Sequence, residues 1–140
     1  MNIKQMLTLI NRTIGRKGQS IKYIVIHYTG NNTDRAVSNA KFFRIIPRGA
    51  SAHYFVDKEG IIQIIPDNEV AYHANERACK ISKLKATSSG YKNGNANLTT
   101  LGIEMCIEKD GSLHPNTYKY TLELVQYLLA KYNLSINDLY

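Results

Sequence analysis

The sequence contains no run of about 18 apolar residues, so a membrane-spanning helix is not among its readings. It has only two cysteines, Cys79 and Cys106, far apart and outside any C-x-x-C pattern. Each reads as an unbridged thiol, buried or idle, and the pair says little about redox compartment. There is no H-E-x-x-H and no cysteine pair, so spacing alone reveals no zinc motif. The segment from Met1 to Ile10 lacks a long apolar stretch and a small-residue cleavage site. It reads as mature protein and not as a signal peptide. Internal repeats and low-complexity tracts are also missing.

Acidic residues are scarce. Eleven Asp and Glu stand against 18 Lys and Arg, giving a net charge of +7 and a pI of about 9.4. A basic surface favours polyanions, whether nucleic acid or an anionic cell wall. A solvated lysine-rich face gives the same balance with no function attached. What remains is 140 residues, 44% of them hydrophobic, enough for one core without disulfides.

The strongest strand signal is Ile21-Lys-Tyr-Ile-Val-Ile-His-Tyr28. Ile21, Tyr23 and Val25 share one face and Ile24 and Ile26 the other, the pattern of a central strand covered on both sides. Thr29 to Asn32 break it, and Thr33 or Asp34 caps a helix whose Ala36, Val37, Ala40 and Phe43 face the core. Residues 52–57 and 61–65 form a hairpin around Lys58-Glu59-Gly60, with Gly60 suited to positive φ. Val70 to His73 is a further edge strand. Residues 75–100 are rich in Asn, Lys, Ser and Gly, with Ile81 and Leu84 as anchors. Such a loop is functional, mobile or an idle insertion. Leu101 to Glu108 is another strand. Leu101, Ile103, Met105 and Ile107 share one face; Gly102, Glu104, Cys106 and Glu108 share the other. A helix starts at Asn116 or Thr117 and buries Tyr118, Leu122, Val125, Leu128, Leu129 and Tyr132. The fold class is α/β: a single domain with a mixed central sheet flanked by helices.

His27 stands at the carboxyl end of the best strand, where sites in α/β sheets gather. A metal ligand, a base and a hydrogen-bonded core residue all fit that position, and position alone favours the core residue. Glu104 lies mid-strand, with Gly102 leaving space beside it. A desolvated carboxylate there suits general-base work, whereas a solvated sheet face, marked by Glu108, needs no function. His53 and His73 complete the set, and His114 reads as ordinary surface.

Four segments in order add a family. They are Tyr23-Ile-Val-Ile-His-Tyr-Thr29, Ser51-Ala-His-Tyr-Phe-Val-Asp57, Ala71-Tyr-His-Ala-Asn75 and Asn97-Leu-Thr-Thr-Leu-Gly-Ile-Glu104. Together they resemble the N-acetylmuramoyl-L-alanine amidase type 2 family, which includes phage endolysins, autolysins and peptidoglycan recognition proteins. The resemblance implies a domain over 21–140, with residues 1–20 an N-terminal extension packed on it. It implies that His27 is a zinc ligand and Glu104 the catalytic carboxylate. It implies that His53, Tyr72, His73 and Asn97 bind substrate, with Tyr72 in place of the family's tryptophan. A related branch has a tyrosine before the hairpin histidine; Ala52 here fits the branch that relies on glutamate.

The family takes its other zinc ligands from a segment after the last helix, so the resemblance places them beyond Tyr140. The implied partner is peptidoglycan, reached from a bacterial or phage-infected cytoplasm. Two other readings stand beside the enzyme: a non-catalytic peptidoglycan-binding module, and, last, a nucleic-acid binder, for which no recognition helix or stacking platform is visible.

Overall fold

The computed structural model describes residues 1–30, 35–74 and 95–140. Thr33, Asp34, Cys79, Ile81, Leu84 and most of the long polar loop lie outside the described residues. The strands are β1 (Ile3–Gln5), β2 (Arg12–Thr13), β3 (Tyr23–Tyr28), β4 (Tyr54–Asp57), β5 (Gly60–Gln63), β6 (Val70–Ala71) and β7 (Thr100–Met105). Helix α1 is Ala36–Ile45 and helix α2 is Pro115–Lys131. Single 3₁₀ turns cover Ala96–Leu98 and Ile136–Asp138.

Five strands form a mixed sheet in the order β1-β5-β4-β7-β3, with only the β4/β5 hairpin antiparallel. The fold class is therefore as the sequence implies. β3 is not central, however: it follows β7 at the end of that order. Its outer edge is covered by the last two residues, which run parallel to it. Tyr140 donates to the Ile24 carbonyl (2.9 Å) and accepts from the Ile26 amide (2.7 Å). An apolar strand looks central whenever both faces are covered, because side-chain pattern reports faces and not edges.

The first residues join this sheet. β1 pairs in parallel with β5, and the Asn11 carboxamide donates to the Phe43 and Ile46 carbonyls at the end of α1. Those carbonyls have no partner within the helix, so a segment distant in sequence completes it. The start of α1 is also finished from afar. Arg35 makes no side-chain cap; the Asp57 carboxylate accepts from the Ala36 amide (2.8 Å) instead. The same carboxylate accepts from the Glu59 and Gly60 amides in the hairpin turn. One negative group thus serves the turn and the positive end of the helix.

The hairpin ladder stops at Tyr54 and Gln63, two residues short of the expected span on each strand. Beyond it, His53 turns its amide to the Gly102 carbonyl and receives the Ile64 and Ile65 amides on its own carbonyl. The expected edge strand survives as Val70–Ala71 and pairs with β2 in a separate two-stranded ladder.

The two sheet faces carry different cores. Ile24, Tyr54, Val56, Ile61, Leu101 and Ile103 pack against Leu124, Val125 and Leu128 of α2. On the other face, Phe55 and Ile62 pack with Ala36 and Ala40 of α1 and with Cys106. Val37, expected inside, is exposed. The buried stripe of α2 is Thr117, Thr121, Leu124, Val125 and Leu128, rotated from the expected one. Tyr118 and Leu122 are 60% and 46% exposed. The Thr121 hydroxyl donates to the Thr117 carbonyl, which lets a polar side chain sit inside. His114 caps this helix, its Nδ1 accepting from the Asn116 amide (3.1 Å). Among the described residues, no helix is long and apolar enough to cross a membrane.

Candidate active site

β3 and β7 run in parallel with His27 directly opposite Glu104, and Phe55 of β4 opposes Glu104 from its other side. Opposed residues on adjacent strands point to the same face. His27, Glu104 and Phe55 therefore share the face away from α2. α1 covers the Phe55 end of that face, and His27 and Glu104 remain half-buried. A cavity of about 310 Å³ opens beside them, lined by Tyr28, Phe43, Ser51, Tyr72, His73 and Glu104. A larger cavity of about 610 Å³, between the N-terminus, the hairpin turn and α2, contains none of the candidate site residues. Tyr72, His73 and Glu104 line the smaller one.

His73 enters this face from the chain after β6. Its ring lies edge-on to His27, with centroids 5.3 Å apart and planes at 80°. The protons of the pair follow from their partners. The Thr100 hydroxyl donates to the Ala96 carbonyl (2.7 Å), so its oxygen accepts from His73 Nε2 (2.9 Å). A neutral His73 protonated on Nε2 offers Nδ1 as an acceptor. His27 Nε2 donates to it across 3.0 Å. The network thus puts the His27 lone pair on Nδ1. Burial lowers the pKa of His27. Burial, and then the charges of His53, His27 and Arg16, hold that of His73 well below the usual value. Both shifts favour the neutral rings that the hydrogen bonds describe.

The backbone of His73 is fixed as firmly. The Asn97 carboxamide oxygen accepts from the amides of His73 (3.2 Å) and Ala74 (2.7 Å). Gly102 provides the room: a Cβ there would lie 2.5 Å from the His73 Cγ. The space expected beside Glu104 is thus taken by an imidazole.

The structure separates the expected substrate contacts into two groups. Tyr72 and His73 line the cavity, and the Tyr72 hydroxyl is tied to Thr13 (2.6 Å). Asn97 is buried, with its carboxamide oxygen engaged by the backbone. His53 is 0% exposed; its Nδ1 accepts from the Gly102 amide and its Nε2 donates to the Glu69 carbonyl. Neither presents a face to a ligand in this arrangement, so both belong to the frame that holds His73 and β7. His53 points to the same face of the sheet as Phe55, but at full depth. Two residues of the frame, Thr100 and Arg16, were missed. Thr100 lies inside the last resembling segment, but no spacing rule marks it.

The residues present fit a metal only in part. A catalytic zinc takes three protein ligands. Among the described residues, no three His, Cys, Asp or Glu side chains converge to hold an ion. His27 supplies one imidazole at the open end of the sheet.

The mixed sheet thus sets a histidine and a glutamate opposite each other on neighbouring parallel strands, beside a cleft at their carboxyl ends. The chain belongs to the N-acetylmuramoyl-L-alanine amidase family, matching it over residues 17–139. It is 43% identical over 126 residues to a probable N-acetylmuramoyl-L-alanine amidase of Bacillus licheniformis, covering 86% of this chain and 33% of the relative. It is 40% identical over 129 residues to the N-acetylmuramoyl-L-alanine amidase BlyA of Bacillus subtilis (strain 168), covering 89% and 34%. The chain thus spans about a third of the length of these curated relatives. The solved catalytic domain of XlyA, an amidase of Bacillus subtilis (strain 168), superposes with a TM-score of 0.74 at 27% identity, covering 99% of this chain and 82% of that one.

Proposed function

We propose that this domain is the catalytic part of a peptidoglycan hydrolase that cuts the amide between N-acetylmuramic acid and L-alanine. The observation that carries the reading is the register of β3 on β7, which sets Glu104 beside His27 at the mouth of the cavity. Tyr72 and His73 form the wall against which the stem peptide lies. Glu104 takes a proton from the attacking water as its oxygen bonds to the amide carbon. When the carbon–nitrogen bond breaks, the same proton passes to the departing alanine nitrogen. The products are the lactyl carboxylic acid and a free amine; the acid's own proton then passes to the amine, leaving a carboxylate and an ammonium, so charge and protons balance.

His27 would in this reading be one ligand of a zinc ion. Zinc held there would supply Lewis acidity to the scissile amide. The working place is the cell wall, where a net charge of +7 favours anionic polymer. Residues 1–20, although they carry β1 and β2, act in this reading as an extension that completes the domain.

The test uses the full reading frame that carries this domain, acting on purified cell walls, with newly formed amino groups counted. Glu104→Gln is expected to lower the rate about 10²- to 10⁴-fold, the range of general-base contributions, with the melting temperature little changed. A chelator abolishes the parent activity. Full activity in Glu104→Gln removes the base assignment. Wall binding without new amines replaces the enzyme with a binding module.

A further inference from the structure

We infer that Arg16 is a positioning residue of this site: its guanidinium fixes the turn that holds the His73 ring, and through that ring it fixes His27. The inference deepens the amidase reading and rests on it. Arg16 lies one position before the stretch that matches the family, in the segment read from sequence as an extension.

Arg16 is 7% exposed, an unusual depth for a cation. Its Nε donates to the Asp67 carbonyl (2.8 Å). Its Nη1 reaches the carbonyls of Leu98 (3.0 Å), Thr100 (3.1 Å) and Asn97 (3.3 Å), and its Nη2 lies 3.1 Å from His53 Nε2. Three of these carbonyls belong to the short stretch 97–100. That stretch carries both handles on His73: the Asn97 carboxamide on its backbone and the Thr100 hydroxyl on its ring.

The ring has no slack. Gly102 leaves room for it only by lacking a side chain, so a displaced turn cannot be absorbed by sliding the imidazole across β7. His73 Nδ1 is in turn the acceptor for His27 Nε2. A shift in 97–100 therefore appears at His27 as a changed orientation or a changed tautomer. A planar fork with five donors can face Asp67 on one side and the turn on the other; an ammonium group concentrates its donors at one point and cannot. The specific prediction is that Lys, despite its charge, does not replace Arg here.

Burial of so many hydrogen bonds also contributes to stability, so loss of activity alone would not separate positioning from folding. The test compares Arg16→Lys with Leu124→Ala, a core change under the opposite sheet face. Both are made in the full reading frame. Ring-nitrogen NMR of the histidines reports tautomers without any need for turnover, and kcat and KM are measured beside it.

Arg16→Lys is expected to lose the single Nε2–H signature of His73 and to lower kcat about tenfold at nearly constant KM, as misplacement of a catalytic group does. Leu124→Ala, at a comparable drop in melting temperature, keeps the parent ring signals. In Arg16→Ala, millimolar guanidinium is expected to restore the signature. Should that variant not fold, the spectrum of Arg16→Lys decides. Parent-like ring signals in Arg16→Lys, or the same change in Leu124→Ala, overturn the inference. A parent without amidase activity whose ring signals still depend on Arg16 refutes the amidase reading and leaves the positioning intact.

Discussion

The two faces of the central sheet are built from alternate residues of the same strands, yet they solve different problems. Under the 17-residue α2, the face carrying Ile24, Leu101 and Ile103 is closed and apolar. Under the 10-residue α1, the face carrying Val25, His27, Gly102 and Glu104 is covered at one end and open at the other. A shift of one position along β7 moves from Ile103, packed against α2, to Glu104, which lines the cavity. Period-two alternation makes this separation available to any half-covered sheet. The longer helix closes its face, and the shorter one leaves a cavity open.

The sharpest way to test that division is to exchange neighbours. Ile103 is fully buried against the α2 core. Ile103→Ala is expected to cost about 2–5 kcal/mol in chemical denaturation, the range for large-to-small core changes. Below its melting temperature it keeps activity per folded molecule. Glu104→Gln, one residue on, should do the reverse. Equal loss of activity in both would dissolve the distinction between the faces.

Acid separates the faces by a second route. His53 belongs to the site side, and burial followed by the Arg16 charge pushes its pKa down to about 4. An unfolded histidine titrates near 6.5, so between those values the unfolded state binds a proton that the folded state refuses. Its stabilising contribution is complete above pH about 6.5 and is lost as the pH falls toward 4, by roughly 3 kcal/mol. Asp67 ties the α2 side, accepting from Tyr54, Tyr132 and Lys131. Burial alone would raise its pKa, but the hydrogen bonds from Tyr132, Tyr54 and Lys131 hold it below the ordinary value. Its contribution is present above the unfolded carboxylate range and disappears only at lower pH, as the folded group protonates. Denaturation profiles should therefore show two acid losses. His53→Gln makes the first shallower, the part that remains belonging to His73 and His27, whose pKa values burial also lowers, and leaves the second; an unchanged first slope would refute the assignment.

How much of this was legible in sequence follows from which interactions are local. Strand identity, the hairpin and the faces of β7 are written in side-chain alternation. The opposition of His27 and Glu104 is not: register between strands about 75 residues apart has no local signature, and only the resemblance to a family brought the two together. The service of Asp57 to the start of α1 has no local signature either, because the two are distant in sequence. The stripe of α2 was misread because Tyr118 and Leu122 are apolar and exposed, while Thr117 and Thr121 are polar and buried. Arg16 had no signal at all, since a buried arginine paired to backbone carbonyls looks in sequence like any surface arginine.

Gly102 offers the smallest and most specific break. A methyl group there would meet three atoms of the His73 ring at 2.5–2.8 Å, distances no relaxed contact shows. Either the ring or the strand must move. β7 is held by β3 on one side and β4 on the other, so the ring is the softer element. Gly102→Ala is therefore expected to cost about 1–3 kcal/mol, as overpacking does, and to break the His27–His73 hydrogen bond. His73→Ala removes the clash in advance. In that background the methyl enters space the imidazole has vacated, and its cost should fall to near zero or change sign. A double-mutant cycle measures the difference as a coupling of about 0.5–3 kcal/mol. Additive costs would mean that the glycine serves the strand and not the histidine. The open face would then owe its shape to β7 alone, with no side chain of the site dictating a residue in the sheet beneath it.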